Sequence, residues 1–184
     1  MVLCLLVPAF ASTLSVDVSG SAGYTSIQDA IDAAVAGDQI VVAAGTYAEN
    51  LDFLGKDVLV SSVDGSDETV LIGTGTNTVT FEGAETDAAE LRGFTIQSGA
   101  TRGVYIDGAS PMLRDIVFEG LGSLSVDGGA VWIGGGSPTF IRCAFAGNVG
   151  NDGGAIYFSG GGPSEFSGGP SRITRPMGLA AGRT

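Results

Sequence analysis

Three aromatic residues and two carboxylates are the side chains whose spacing points to chemistry. Tyr105, Trp132 and Tyr157 each sit at the centre of an apolar triplet: Val104-Tyr105-Ile106, Val131-Trp132-Ile133 and Ile156-Tyr157-Phe158. The triplets lie 27 and 25 residues apart. With the flanking residues turned inward, strand alternation turns the three rings outward, in one slot of successive repeats. A row of exposed rings is a platform for sugar rings and makes these three the candidate carbohydrate-binding residues. Equally, aromatic neighbours on adjacent strands stabilise a sheet by about 0.2–1 kcal/mol per pair. Asp127 and Asp152 share a second slot, each directly before a Gly-Gly pair. Stacked carboxylates repel, and a bound Ca²⁺ with its oxygen ligands is one answer; solvated turn positions are the other. Asp64-Gly65-Ser66-Asp67-Glu68 is a further acidic turn. None of these carries the spacing of an EF-hand or of the glycine-rich calcium repeat.

Other chemistries are excluded. The chain has no histidine. That removes imidazole zinc sites, Ser-His-Asp and Cys-His catalysis and any histidine base. With 20 acidic against 8 basic residues the net charge is −12, which argues against nucleic acid and anionic membrane as partners. Cys143 falls in an apolar column and is expected to be buried and inert. Arg92, Arg114 and Arg142 recur at positions that read as strand starts, without a recognisable groove motif.

The elements that position these residues begin with a short apolar run at 2–8, followed by Ala9-Phe10-Ala11. This predicts a signal peptide over 1–11, removed after Ala11, and hence a secreted or cell-surface protein. Cys4 leaves with it, so the mature chain has no internal disulfide. No run approaches the ~20 apolar residues of a transmembrane helix. A helix is predicted over about 25–36. Thr25 and Gln28 have capping-box spacing, and Ile27, Ala30, Ile31, Ala34 and Val35 form one apolar stripe ended by Gly37. Thereafter short strands lie between glycines: Gln39–Ala43, Leu51–Leu54, Val58–Ser61, Val70–Ile72 and Thr78–Phe81.

These strands repeat. Val79-Thr80-Phe81 precedes the three aromatic triplets by the same kind of interval, 25 residues. Seven residues after the start of each later triplet stands a proline, Pro111, Pro138 or Pro163, and seven further on stand Phe118 and Phe145. Leu91–Ile96 matches Leu113–Phe118 at a spacing of 22. Repeats of this length without helices indicate stacked coils that bury a shared core. The fold class is all-β: a right-handed, single-stranded parallel β-helix with a short N-terminal capping helix, spanning 12–166. About five coils are expected, a rod of roughly 24 Å. Ile96, Phe118 and Phe145 should form an interior ladder beside Phe94, Ile116 and Cys143. The pattern breaks after Pro163, which predicts a disordered tail at 167–184, a truncated chain and self-association through an uncapped last coil.

Tyr24–Phe53, with its Gly45-Thr46-Tyr47-Ala48-Glu49 turn, resembles the opening segment of right-handed β-helix proteins of the pectin-lyase-like superfamily. The resemblance implies a helix that caps the rod and a turn, including Glu49, that starts the first coil. The later coils resemble polymorphic outer-membrane protein repeats, through Gly128-Gly129-Ala130-Val131, Gly153-Gly154-Ala155-Ile156 and the F-x-x-N of Phe145–Asn148. Those proteins are surface-exposed and often adhesive. Of the superfamily's enzymes, polygalacturonases carry a Gly-His-Gly motif, which a chain without histidine cannot supply. Pectin methylesterase motifs beyond the opening segment find no match. The expectation is therefore a non-catalytic rod presenting a binding face, with extracellular glycan as its candidate ligand. The alternatives are the N-terminal part of a carbohydrate-active enzyme and an adhesin or autotransporter stalk. No cofactor is called for, Ca²⁺ at Asp127 and Asp152 aside.

Overall fold

Apolar residues arrive in three alternating bursts per repeat, so each coil of the chain is built from three short strands joined by corners. The computed structural model describes residues 11–97 and 101–159, and beyond them the backbone of Glu165–Ser167, Ile173–Thr174 and Ala180–Ala181. The first coil runs through Gln39–Val42, Gly45–Tyr47 and Leu51–Asp52, and the second through Leu59–Ser62, Thr69–Ile72 and Asn77–Phe81. The third uses Glu90–Arg92, Thr95–Gln97 and Arg102–Ile106. The fourth uses Met112–Arg114, Val117–Glu119 and Val131–Ile133, and the fifth Thr139–Ile141, Ala144–Ala146 and Ile156–Phe158.

Equivalent strands stack in parallel into three sheets, taken here as first, second and third in chain order within a coil. The backbone stretches beyond 159 pair with the fifth coil, as Phe140 with Phe166, Phe145 with Ile173 and Tyr157 with Ala180. The turns thus number about six rather than five. A strand that the sequence pattern left unmarked, Thr13–Val16, pairs with Gln39–Val42 and extends the first sheet ahead of the helix. The rest of 160–184, on which the expectation of a disordered tail and an open last coil rests, lies outside the described residues. So does 1–10 of the expected signal segment.

The core is a set of in-register columns. In the second sheet Leu71 pairs with Ile96, Ile96 with Phe118 and Phe118 with Phe145, all buried. The rings of Phe118 and Phe145 stack at 4.7 Å and 7°. In the third sheet Val79, Val104, Val131 and Ile156 form one buried column and Phe81, Ile106 and Ile133 another. Phe158 ends the latter half-buried against the core. Where a coil cannot bury its apolar side alone, each added coil covers the last, as the nearest-neighbour stability of solenoids requires.

The capping helix spans Ile27–Ala33, shorter than the predicted 25–36. Ile27, Ala30, Ile31 and Ala34 are buried as expected, but Val35 is 55% exposed. Its N-cap is Ser26, whose Oγ accepts from Asp29 N at 3.2 Å, rather than Thr25. The Thr25–Gln28 capping box does not form because a distant carboxylate occupies the helix start. Glu49 accepts from Ile27 N at 2.9 Å, from Gln28 N at 3.0 Å and from Ser26 Oγ at 2.7 Å. The Gln28 side chain is thereby free to bond the backbone of Asp52 as donor and acceptor. At the other end Asp38 draws the chain out of the helix. Its carboxylate accepts from Val35 N at 2.9 Å and Ser12 N at 2.7 Å.

Candidate functional site on the outer face of the third sheet

Register brings the three aromatic residues into one column. Tyr105 pairs with Trp132 and Trp132 with Tyr157. All three are half-buried, between two inward-facing buried columns. The same column continues backward through Thr80 and Asp52. Strand alternation therefore places the rings outward as the sequence indicates, and the structure adds how they stand.

Tyr105 and Trp132 stack with centroids 4.6 Å apart and planes within 5°. Coils are spaced at about the same distance. Rings that are parallel at one coil step face each other and rise edge-on from the sheet. The pair contributes about 0.5–1.5 kcal/mol beyond its buried area. It also covers one face of each of these two rings. The Trp132 ring reaches along its own strand to Gly134, where a methyl group would collide with the indole. That same spot is 2.8 Å from Asp107 Oδ1, so indole and carboxylate flank one gap.

Arg102 braces the column from the side. Its Cζ lies 5.8 Å from the Tyr105 centroid and 5.9 Å from that of Trp132. Near-equal distances from two parallel rings put the guanidinium beside the stack rather than over a face. Its Nε donates to the Asp127 carbonyl at 3.2 Å and its NH1 to Asn77 Oδ1 at 3.4 Å. Burial lowers the Arg102 pKa, against the pull of Tyr105 and Asp127. The Tyr105 phenol moves the other way: burial raises its pKa, and the charges of Asp107 and Glu82 add to that. Arg102, Asp107 and Glu82 were not singled out from the sequence. Alternation carried two residues beyond Thr80 and Tyr105 would have placed both carboxylates on the outer face.

The acidic pair lies next to this column, since Arg102 holds the carbonyl of Asp127. The Asp127 Oδ1 accepts from Asp152 N at 3.1 Å and from Asn151 Nδ2 at 3.0 Å. The Asp152 carbonyl accepts from Gly128 N at 2.9 Å. Each aspartate thus ties one coil to the next through its turn. No group of three or more His, Cys, Asp or Glu side chains gathers for a metal among the described residues. Arg92 and Arg114 stand at strand ends rather than starts, each directly after the inward Leu91 or Leu113, and Arg142 lies one residue past Thr139–Ile141, in the corner. Arg114 pairs with Glu90 at 2.8 Å. Arg142 makes a two-point contact with Asp115, 2.6 Å for each bond. The turn residues Asp64–Asp67 face Arg92 and Asp115 across a shallow polar depression.

The F-x-x-N and Gly-Gly-Ala motifs have structural work in these corners. Asn148 accepts from Leu121 N at 3.0 Å and donates to the Phe118 carbonyl at 3.0 Å, bonding the coil before it. Gly128 and Gly153 both have positive φ, +66° and +61°.

No protein-family model and no curated protein matches this sequence. Among solved structures the fold matches a pectin methylesterase from Erwinia chrysanthemi, with a TM-score of 0.54. The chain has the pectin-lyase-like right-handed parallel β-helix fold. The match covers 82% of this chain and 54% of that enzyme's chain, at 20% identity. The β-helix therefore spans about half the length of the enzyme it matches. At such identity the likeness carries the fold alone.

Proposed function

We propose that this β-helix is a non-catalytic, secreted or cell-surface rod whose third sheet presents a glycan-binding face. The observation that carries the reading is the outward column of Tyr105, Trp132 and Tyr157, with Arg102 on one flank and Glu82 and Asp107 on the other. Aromatic carbon surface beside hydrogen-bonding side chains suits a sugar, which has apolar C–H faces and a rim of hydroxyls. The lack of histidine and of recognisable catalytic motifs supports a non-catalytic role. No helix among the described residues is long and apolar enough to cross a membrane.

Trp132 is the only tryptophan, so its fluorescence reports on this face directly. Titration with a panel of polysaccharides is expected to shift its emission with at least one of them, and Trp132→Ala to weaken that binding. Emission unchanged across the panel would remove the proposal.

A second reading is favoured by the fold match: a pectin-modifying enzyme whose reactive coils lie outside the part described. Release of methanol from methyl-esterified pectin by a chain that carries those coils would select it over the binding rod.

A further inference from the structure

We propose that the sugar seat is a single ring face, the outer face of Tyr105 above Thr80, and that it accepts a neutral, hydroxyl-rich sugar unit; this rests on the glycan reading above. The Tyr105 face turned toward the next coil is covered by Trp132 at 4.6 Å. The other face looks toward the preceding coil, where the same outward slot holds Thr80, and one coil earlier Asp52. Threonine ends at its γ atoms, while a tyrosine ring extends several atoms further. The Tyr105 ring therefore stands as the wall of a step with Thr80 as its floor. This step is where the aromatic column begins, and the stack of Trp132 on Tyr105 closes the face behind it.

The rim of the step is acidic. Asp107 occupies the next outward position on the strand of Tyr105, and Glu82 the next on the strand of Thr80, each exposed. The Asp107 N donates to the Phe81 carbonyl at 2.9 Å, which holds the two strands in that register. Carboxylate oxygens accept hydrogen bonds from sugar hydroxyls while the C–H face of the sugar lies on the ring. A uronate would bring its own carboxylate against Glu82, Asp107 and Asp52. The nearest cation, Arg102, sits at the side of the stack and is already held by the Asp127 carbonyl and Asn77. A chain of net charge −12 adds long-range repulsion of polyanions. The seat thus selects against the acidic glycan that the fold match would bring to mind.

Thr80→Tyr tests the seat without removing any existing contact. The new ring would continue the stack, as Trp132 continues it from Tyr105, and cover the open face. Dissociation constants would be measured by calorimetry for a soluble β-glucan, a xylan, a galactan and polygalacturonate, with melting curves to verify the fold. The wild type is expected to bind one of the neutral polymers and to bind polygalacturonate at least about tenfold more weakly. Thr80→Tyr and Tyr105→Ala are each expected to weaken the neutral polymer at least about tenfold. If the wild type binds and a folded Thr80→Tyr binds as well or better, the column as a whole is the platform and the single-face seat is wrong. If polygalacturonate binds as tightly as the neutral polymers, the selectivity is wrong. If no polymer binds, the glycan reading itself fails and the seat fails with it.

Discussion

The Glu49 carboxylate caps the start of a helix 22 residues before it, taking the backbone N–H of Ile27 and of Gln28 together with the Ser26 hydroxyl. A helix of seven residues is too short to persist by propensity. It is held by its buried stripe and by this link between the cap and the corner that follows Gly45–Tyr47. Glu49→Ala leaves two buried-side N–H groups without a charged acceptor and should cost about 2–3 kcal/mol. For a chain of this size that lowers the melting temperature by roughly 4–12 °C. Glu49→Gln keeps one acceptor oxygen and should lose less. A Glu49→Ala variant that melts with the wild type would show that the helix is held by its apolar stripe alone.

The same residue shows where a sequence stops being legible. The inward columns could be read off directly, because every coil keeps the parity of its alternation, and Ile96, Phe118, Phe145 and Cys143 lie where the spacing puts them. The helix start could not, since local spacing favours Thr25 with Gln28 while the winning acceptor comes from another coil. Alternation likewise sends Tyr105 and Trp132 outward but says nothing of the plane of a ring. That plane is set by the stacking of Tyr105 on Trp132 at 4.6 Å, a contact that alternation does not specify. Of the side chains beside the rings, Glu82 and Asp107 follow the same alternation, but they and Arg102 lie outside the apolar triplets that mark the repeat.

Two carboxylates predict how stability responds to acid. The N–H groups of Val35 and Ser12 hold the Asp38 carboxyl below its ordinary pKa. The Arg142 guanidinium does the same for Asp115. In the unfolded chain both titrate near about 3.9. The folded state then binds fewer protons than the unfolded state around that value, so stability rises with pH there. The contribution is complete above about pH 5 and fades as pH falls through 4 toward the lowered folded values. Melting temperatures of the wild type should be level between pH 5 and 7 and decline below about 4. Asp38→Asn and Asp115→Asn should each flatten that decline. Curves that stay parallel to the wild type down to low pH would exclude these two groups as its source.

The acidic pair gives a test for calcium. One oxygen of Asp127 already receives two donors from the next coil, Asp152 N and Asn151 Nδ2. Hydrogen bonding thereby supplies a reason for the aspartate that needs no ion. The expected outcome is a melting temperature unchanged between millimolar calcium and EDTA, with Asp127→Ala less stable by about 1–2 kcal/mol in either. A rise with calcium that Asp127→Ala or Asp152→Ala abolishes would assign the pair to a metal instead.

Gly128 and Gly120 separate conformation from crowding. Both have left-handed backbone, φ +66° and +64°. A Cβ at Gly128 would lie 2.5 Å from the Val131 carbonyl oxygen, whereas at Gly120 it would meet nothing within 4 Å. Gly120→Ala should therefore cost only the left-handed penalty, about 1–2 kcal/mol. Gly128→Ala adds a clash with backbone and should cost more, or prevent folding. Urea unfolding of the two variants measures the difference. Equal losses would mean that the corner yields to the added methyl, and that the Gly-Gly-Ala motif is conformational only.

Cys143 links the interior ladder to alkaline stability. The thiol is buried beside Ile116 and donates toward the Leu113 carbonyl at 3.3 Å. Burial pushes its pKa up from 9.0 to about 11. The neutral thiol is thus favoured by the folded chain, while the unfolded chain loses the proton first as pH rises. Stability is unaffected well below pH 9 and falls between about 9 and 11, by roughly 2–3 kcal/mol in total. Cys143→Ala removes this loss but leaves a small cavity, so it should be the less stable protein at pH 8 and close the gap by pH 11. At pH 8 the native thiol should react with a disulfide reagent only as fast as the chain opens, because both burial and the raised pKa suppress the thiolate. Rapid modification of the folded protein, or a constant stability difference across that pH range, would place the sulfur in contact with solvent and overturn its role as core.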